Sequence, residues 1–209
     1  MLNELKKLLE SLRTIYPFGV DILNPAATVE EINYLEKQIG CLLPQDVKDL
    51  YLTHDGQDSS KPGYIFGFPV LSLKDVYLCW KSWNDLVESE DEEGMNSLSE
   101  YCESGNDDKV KKLYANPLWI PLTNDWAGNH IGIDLDPGPG GTVGQVINFG
   151  RDEDIKFVLA DSLKDFIKFI NDQIDKRNYI VKEEDGLFWF NIKKPKNTHF
   201  MDVIPQLFG

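Results

Sequence analysis

The sequence is short of positive charge. Its 21 lysines and arginines face 35 aspartates and glutamates, for a formal net charge of −14. Nucleic-acid surfaces work by neutralising phosphates with lysine and arginine, so this balance argues against a nucleic-acid partner. It argues equally against docking on an anionic membrane. Cysteine is scarce as well. Cys41, Cys79 and Cys102 stand far apart and form no CxxC pair. That excludes a zinc ribbon or a thioredoxin-like motif, and leaves no basis for a disulfide framework. No apolar run is long enough to span a bilayer, and Met1 to Glu10 mixes charges among its leucines, unlike a signal peptide. The expectation is a cytoplasmic protein.

Catalytic signatures are missing too. The chain has no G-x-S-x-G elbow, no H-E-x-x-H and no P-loop. His54, His130 and His199 lie in unrelated contexts and read as structural or surface residues. The stretch Gly138 to Gly144 fails as a phosphate cradle, because Pro137 and Pro139 remove two backbone donors and a strand comes next. Asp134-Leu135-Asp136 fails as a calcium loop, with Pro139 where glycine belongs and Gln145 where glutamate belongs. Asp152-Glu153-Asp154 reads as a solvated turn. We expect no enzyme, no metal and no cofactor.

What is present is enough apolar material for a core: 42% hydrophobic and 11% aromatic residues in a chain of 209. Leu2, Leu5, Leu8, Leu9 and Leu12 recur at helical spacing, and this helix should end before Pro17. Thr28 with Glu31 forms a capping box, and Gly40 stops the helix that it opens. Pro44 opens a third helix, which should run to Asp55-Gly56. Leu73 to Glu88 is helical, and a second acidic helix is expected near Ser97 to Tyr114. Beyond Pro117 the period shortens. Ile131, Ile133 and Leu135 alternate with polar residues, as in a strand with one buried face. Val143 to Phe149 and Lys156 to Ala160 give two more strands. Asp161 or Ser162 caps a helix bearing Phe166 and Ile170. Tyr179 to Val181 and Leu187 to Phe190 flank Glu184-Asp185-Gly186 as a hairpin, expected to dock on the main sheet. Helices precede strands, which points to α+β rather than a doubly wound sheet.

One stretch stands out electrostatically. Ser82 to Asp108 holds ten acids and neither lysine nor arginine. Such a run is ordinarily a solvated face, but a basic partner would relieve its self-repulsion. Trp80 and Trp83 just upstream could anchor such a partner or simply pack in the core.

Several of these segments together resemble the SUKH superfamily, which includes the Smi/Knr-like cell-wall assembly regulators. The matching blocks are Leu43-Pro44, Leu50-Tyr51, Asp55-Gly56, Trp119-Ile120-Pro121-Leu122, Gly128-Asn129, Ile133-Asp134-Leu135-Asp136, Gly140 to Ile147, Phe149 to Asp152 and Leu159 to Ser162. The resemblance covers roughly residues 24–174. The family often has Gly-Asp where this chain has Gly128-Asn129.

The resemblance implies an α+β fold with N-terminal helices packed around a central, largely antiparallel sheet. Residues 1–176 would form that domain, and 177–209 a C-terminal extension. It also implies a non-catalytic protein-binding module. Bacterial members are commonly immunity proteins and fungal members are regulatory adaptors. Resemblance and charge together lead us to expect an immunity protein that occludes a basic, nuclease-like toxin, with an adaptor of cell-wall synthesis as the other reading. The expected steering residues are Asp85, Glu88, Glu90, Asp91, Glu92 and Glu93. A second expected face is Asp125, Trp126, Asn129 and Asp136. The molecule would be a monomer or a homodimer.

Overall fold

The computed structural model describes residues 1–15 and 21–209. The expected break at Pro17 lies outside the described residues, but α1 (Leu2–Ile15) does end just before it. In α2 (Val29–Ile39) the Thr28 hydroxyl accepts from the Glu31 amide while Glu31 reaches back to Thr28. Gly40 closes that helix in the left-handed region, at φ 72°. α3 (Gln45–Tyr51) starts at Pro44 but stops four residues short of Asp55. His54, three residues beyond the end of α3, is buried. α4 spans Leu73–Ser89 and is capped by Ser72.

The sheet comes next. β2 (Trp119–Pro121), β3 (Asn129–Asp134), β4 (Gln145–Gly150) and β6 (Val158–Ala160) form four antiparallel strands in the order β2-β3-β4-β6. α6 (Leu163–Asp175), capped by Ser162, packs with α1 across one face. Ile120, Ile131, Ile133, Val146 and Leu159 point into that helical core. The architecture is therefore α+β, as the sequence implies.

Three expectations need correction. The helix placed near Ser97 to Tyr114 is instead α5 (Glu92–Leu98), capped by Asp91. The chain beyond α5 is mostly turns, with β1 (Glu103–Ser104) pairing β5 (Ile155–Lys156) in parallel. Asp107 and Asp108 both take positive φ, 39° and 59°, which a helix cannot contain. Secondly, β3 is buried on both faces, not one. A satellite cluster of Val110, Trp119, Ile147, Phe149 and Val158 covers the face away from α1 and α6, with Trp83 of α4 packed against it. Gly132 permits the tight fit: a Cβ there would lie 2.3 Å from the Ile120 carbonyl oxygen. Thirdly, the strand expected over Lys156–Ala160 is split at Phe157, because β5 pairs with β1 whereas β6 pairs with β4. Lys156 is wholly buried there, with Nζ 3.1 Å from Cys102 Sγ.

The terminal hairpin exists, as β7 (Tyr179–Glu184) and β8 (Leu187–Ile192). Asp185 and Gly186 both have positive φ, 53° and 76°, the backbone of a type I′ turn. It joins no strand of the main sheet. It packs instead on the segment 63–70, where Phe66 stacks on Phe190 at 5.7 Å and on Phe200 at 4.5 Å. A 3₁₀ turn (Phe200–Val203) and α7 (Ile204–Phe208) finish the chain.

His54 is structural. Its Nδ1 lies 3.1 Å from the Gly56 carbonyl and its Nε2 3.1 Å from the Tyr64 hydroxyl. Burial pushes its pKa down to about 4. Folding therefore favours neutral His54, and that stability is full above pH 6.5 and is lost as pH falls through about 4. Urea unfolding between pH 7 and pH 4 should show a loss of about 3 kcal/mol that a His54→Gln variant lacks. Equal slopes in the two proteins would remove His54 as the cause.

Candidate functional site: an aromatic groove beside a rigid tryptophan loop

The loop 123–129 joins β2 to β3 and presents Trp126 at its tip. Asp125 builds the loop. Its Oδ1 accepts from the Ala127 amide at 2.8 Å and the Asn129 amide at 2.9 Å. The Asn124 side chain accepts from the Trp126 amide. Trp126 is thereby held at φ 61°, a conformation bulky residues rarely adopt. The ring remains 49% exposed. Its Nε1 donates to the Ser59 carbonyl at 2.9 Å, and its ring makes a T-shaped pair with Trp189 at 6.0 Å. An exposed tryptophan fixed by two chain-distant contacts is ordered before any partner arrives, which reduces the entropy cost of binding.

Beside Trp126 runs a groove of about 530 Å³. Cys79, Ser82, Trp83 and Leu86 of α4 form one wall by helical spacing. Tyr114 and Arg151 line it too, together with Asn124 and Trp126 to Gly128 of the loop. Trp83 meets Tyr114 at 5.8 Å and His130 at 6.2 Å, both edge to face. His130 lies in the floor, 4% exposed, with Nδ1 2.7 Å from the Thr123 carbonyl. Burial lowers its pKa, so it is neutral at pH 7. The carbonyl contact makes Nδ1 the protonated nitrogen and leaves Nε2 as an acceptor.

Around Arg151 the carboxylates gather. Asn129 donates its amide to Asp125 at 2.7 Å and to Asp152 at 3.4 Å, and its own oxygen accepts from the Asp152 amide. Arg151 reaches Asp152 at 3.2 Å. Glu153, expected in a solvated turn, is instead folded inward onto Asn148. Burial raises its pKa to about 7, against the opposing Asn148 amide.

The expected residues thus fall into separate places. Asp125, Trp126 and Asn129 belong together. Asp136 does not join them: it lies past the far end of β3, bonded to Lys111 at 2.5 Å and Asn116 at 2.9 Å. Its neighbour Asp134 is buried between Trp119 Nε1 and Gln145 Nε2, with its pKa raised to about 6 by burial. Of the acidic run, Asp85 pairs with Lys81 and Glu88 with Asn84 along α4, while Asp91 caps α5 and Glu92 and Glu93 lie in its first turn. Glu90 is the C-cap of α4. All six are exposed. Trp80 is core, donating to the Pro117 carbonyl at 2.7 Å. Trp119 is core as well. Sequence reasoning missed Tyr114, His130 and Arg151 as groove residues, because they come from three distant segments. Among the described residues, no group of three or more His, Cys, Asp or Glu could hold a metal ion. No helix among them is long and apolar enough to cross a membrane.

The fold and the groove define an α+β module with a preformed surface cleft. Comparison with known proteins gives its family. Residues 26–168 match the model of the SMI1/KNR4 family (SUKH-1), and the chain belongs to that family. It is 36% identical over 186 residues to the Schizosaccharomyces pombe "Cell wall biosynthesis/cell cycle regulator smi1", covering 85% of this chain and 37% of that protein. It is 31% identical over 198 residues to the Neurospora crassa "Glucan synthesis regulatory protein", covering 81% and 37%. It is 31% identical over 196 residues to the Saccharomyces cerevisiae "Cell wall assembly regulator SMI1", covering 79% and 39%. The chain thus spans well under half the length of these relatives. They are named as regulators, which favours the regulatory reading over toxin immunity.

Proposed function

We propose that this chain is a non-catalytic regulatory module of cell-wall or glucan synthesis, acting by binding another protein through the groove at Trp126. The observation that carries the reading is Trp126 itself, exposed, conformationally strained and fixed by Asn124, Asp125 and Ser59. Backbone strain of this kind is retained where the surroundings over-determine it, and clusters at binding sites. The names of the fungal relatives supply the process. The acidic run from Asp85 to Glu93 would speed encounter with a basic partner without adding much to the bound state.

Trp126→Ala tests this in the natural host. The variant is expected to fold, with a melting midpoint within a few degrees, and to give the same sensitivity to cell-wall stress as loss of the gene. Neutralising the 85–93 acids should slow association several-fold and leave dissociation unchanged. Full wall-stress resistance with Trp126→Ala would refute the groove as the functional surface. Rescue of cells from a nuclease toxin by this chain would restore the immunity reading instead.

A further inference from the structure

Cys102 and Lys156 meet beneath the parallel pair β1–β5. The register sets Glu103 opposite Ile155 and Ser104 opposite Lys156. Tyr101, Glu103, Asp154 and Ile155 are exposed, while Cys102 and Lys156 turn inward, 3% and 0% exposed. Lys156 Nζ donates to Cys102 Sγ at 3.1 Å and to the Asp154 carbonyl at 3.4 Å. It also lies 5.9 Å from the centre of the Trp119 ring. A lysine taken wholly out of water ordinarily pairs with a carboxylate. Here the nearest acceptor among the described residues is a sulfur.

The other two cysteines are placed differently. Burial pushes the Cys41 thiol up to about 11 and raises Cys79 as well, and the charges of Glu36 and Asp75 add to those shifts. An anion beside a thiol keeps its proton on, whereas a cation favours the thiolate, which is the nucleophile. Cys102 is the thiol in contact with an amine. The ladder above it is two residues long. So short a ladder opens locally at far less cost than the core, which admits a small oxidant to a pair one layer down.

We propose that Cys102 and Lys156 form an oxidation site, at which a peroxide converts the pair to a covalent sulfur–nitrogen bridge. The Cys102 sulfur attacks one oxygen of hydrogen peroxide and the O–O bond breaks, giving the sulfenic acid and one water. The Lys156 nitrogen, once its ammonium proton has gone to solvent, attacks the sulfenic sulfur. The S–O bond breaks, and hydroxide leaves as a second water with a proton from the nitrogen. Sulfur gives up two electrons and the peroxide takes them. Sulfenic acids condense with backbone nitrogen in the same way. A small thiol reduces the bridge and restores both side chains. The bridge ties the start of β1 to β5, and with it the turns that lead to Tyr114, whose amide is bonded to Ser99 Oγ. The proposal is independent of what the groove binds.

The test treats the folded full chain with hydrogen peroxide in small excess, digests it without reductant and maps it by mass spectrometry. The expected product is a joined pair of peptides, one holding Cys102 and the other Lys156. It should be lighter by two hydrogens than their sum and separate in dithiothreitol. Lys156→Met should abolish it and let Cys102 run on to the sulfinic acid. Cys102→Ser should abolish it as well. The bridged residues are 54 apart in sequence, so the oxidised chain should show a higher urea midpoint that dithiothreitol reverses. Wild-type Cys102 found as sulfinic acid beside a free Lys156 would overturn the proposal. So would a Cys102 left untouched when Cys41 and Cys79 are oxidised, an equal yield of bridge from the urea-unfolded chain, or a joined pair that retains an oxygen. Each of these is read on the wild-type sequence and does not depend on a variant folding.

Discussion

A chain ended at Lys176 is expected not to fold cooperatively. The match to the family model stops at residue 168, and the sequence pattern alone suggests that the remainder is an appendage. The packing points the other way. Phe190, Ile192, Phe200, Val203 and Ile204 are all buried, and they share one continuous cluster with Leu5, Leu50 and Phe166. Phe66 is the pivot, held at φ 48° with Phe169 edge-on at 6.1 Å and Phe190 and Phe200 stacked on it. Burying a large apolar side chain is worth about 1.5–3 kcal/mol, so five such residues reach the order of 10 kcal/mol. That is comparable to the whole stability of an ordinary domain. Truncation would also uncover Phe66, Phe68 and Phe169 together, an apolar patch that favours aggregation. The single variant Phe190→Ala in the full chain should cost about 3–5 kcal/mol. Urea unfolding monitored by near-ultraviolet dichroism reads both. A truncated chain with a sharp transition near that of the intact protein would show that 177–209 is a dispensable extension and that the cluster is two cores in contact.

Local chemistry made much of this fold legible. Thr28 with Glu31, Gly40 and Ser162 each mark a helix end through a bond to a near neighbour or a left-handed backbone, and each is present. Asp185-Gly186 marks the hairpin in the same way, through backbone conformation alone. The misreadings arise where a distant partner decides. His130 and Asp134 look like the wet face of a strand, but Thr123, Trp119 and Gln145 satisfy them, so the face can be buried. The stretch after Leu98 has the composition of an acidic helix. Its course is fixed instead by pairing with β5 and by Asn106, which bonds the Val158 amide and the Phe208 carbonyl. The site was half legible for the same reason. Asp125, Trp126 and Asn129 are neighbours in sequence, whereas Trp83, Tyr114, His130 and Arg151 meet only once α4 crosses the sheet.

Asn129→Asp is expected to destabilise the protein by about 3 kcal/mol at pH 7 and to loosen the Trp126 loop. This is the position where the resemblance read from the sequence leads us to expect Gly-Asp, and the structure gives asparagine a local role there. The Asn129 amide nitrogen donates to both Asp125 and Asp152, and its oxygen accepts from the Asp152 backbone. Asn129 is only 6% exposed. An aspartate would keep the acceptor and lose the donor, leaving three carboxylates facing one another in a partly dry site. A buried group left without its partner costs about 1–3 kcal/mol, and more when charged. Like charges at this distance raise the pKa of the newcomer. That sets the sign of the pH dependence. A carboxylate whose folded pKa is raised destabilises when it ionises, so the penalty is largest at neutral pH and shrinks as acid protonates the site. The difference in urea midpoint between wild type and Asn129→Asp should therefore narrow from pH 7 towards pH 4. Tryptophan fluorescence reports the loop, since Asp125 also positions the Ala127 amide next to Trp126. Asn129→Gln, which keeps the amide on a longer arm, should lose less. An Asn129→Asp protein as stable as wild type at pH 7 would mean that water or Arg151 can replace the amide, and that asparagine has no structural advantage over aspartate at this site.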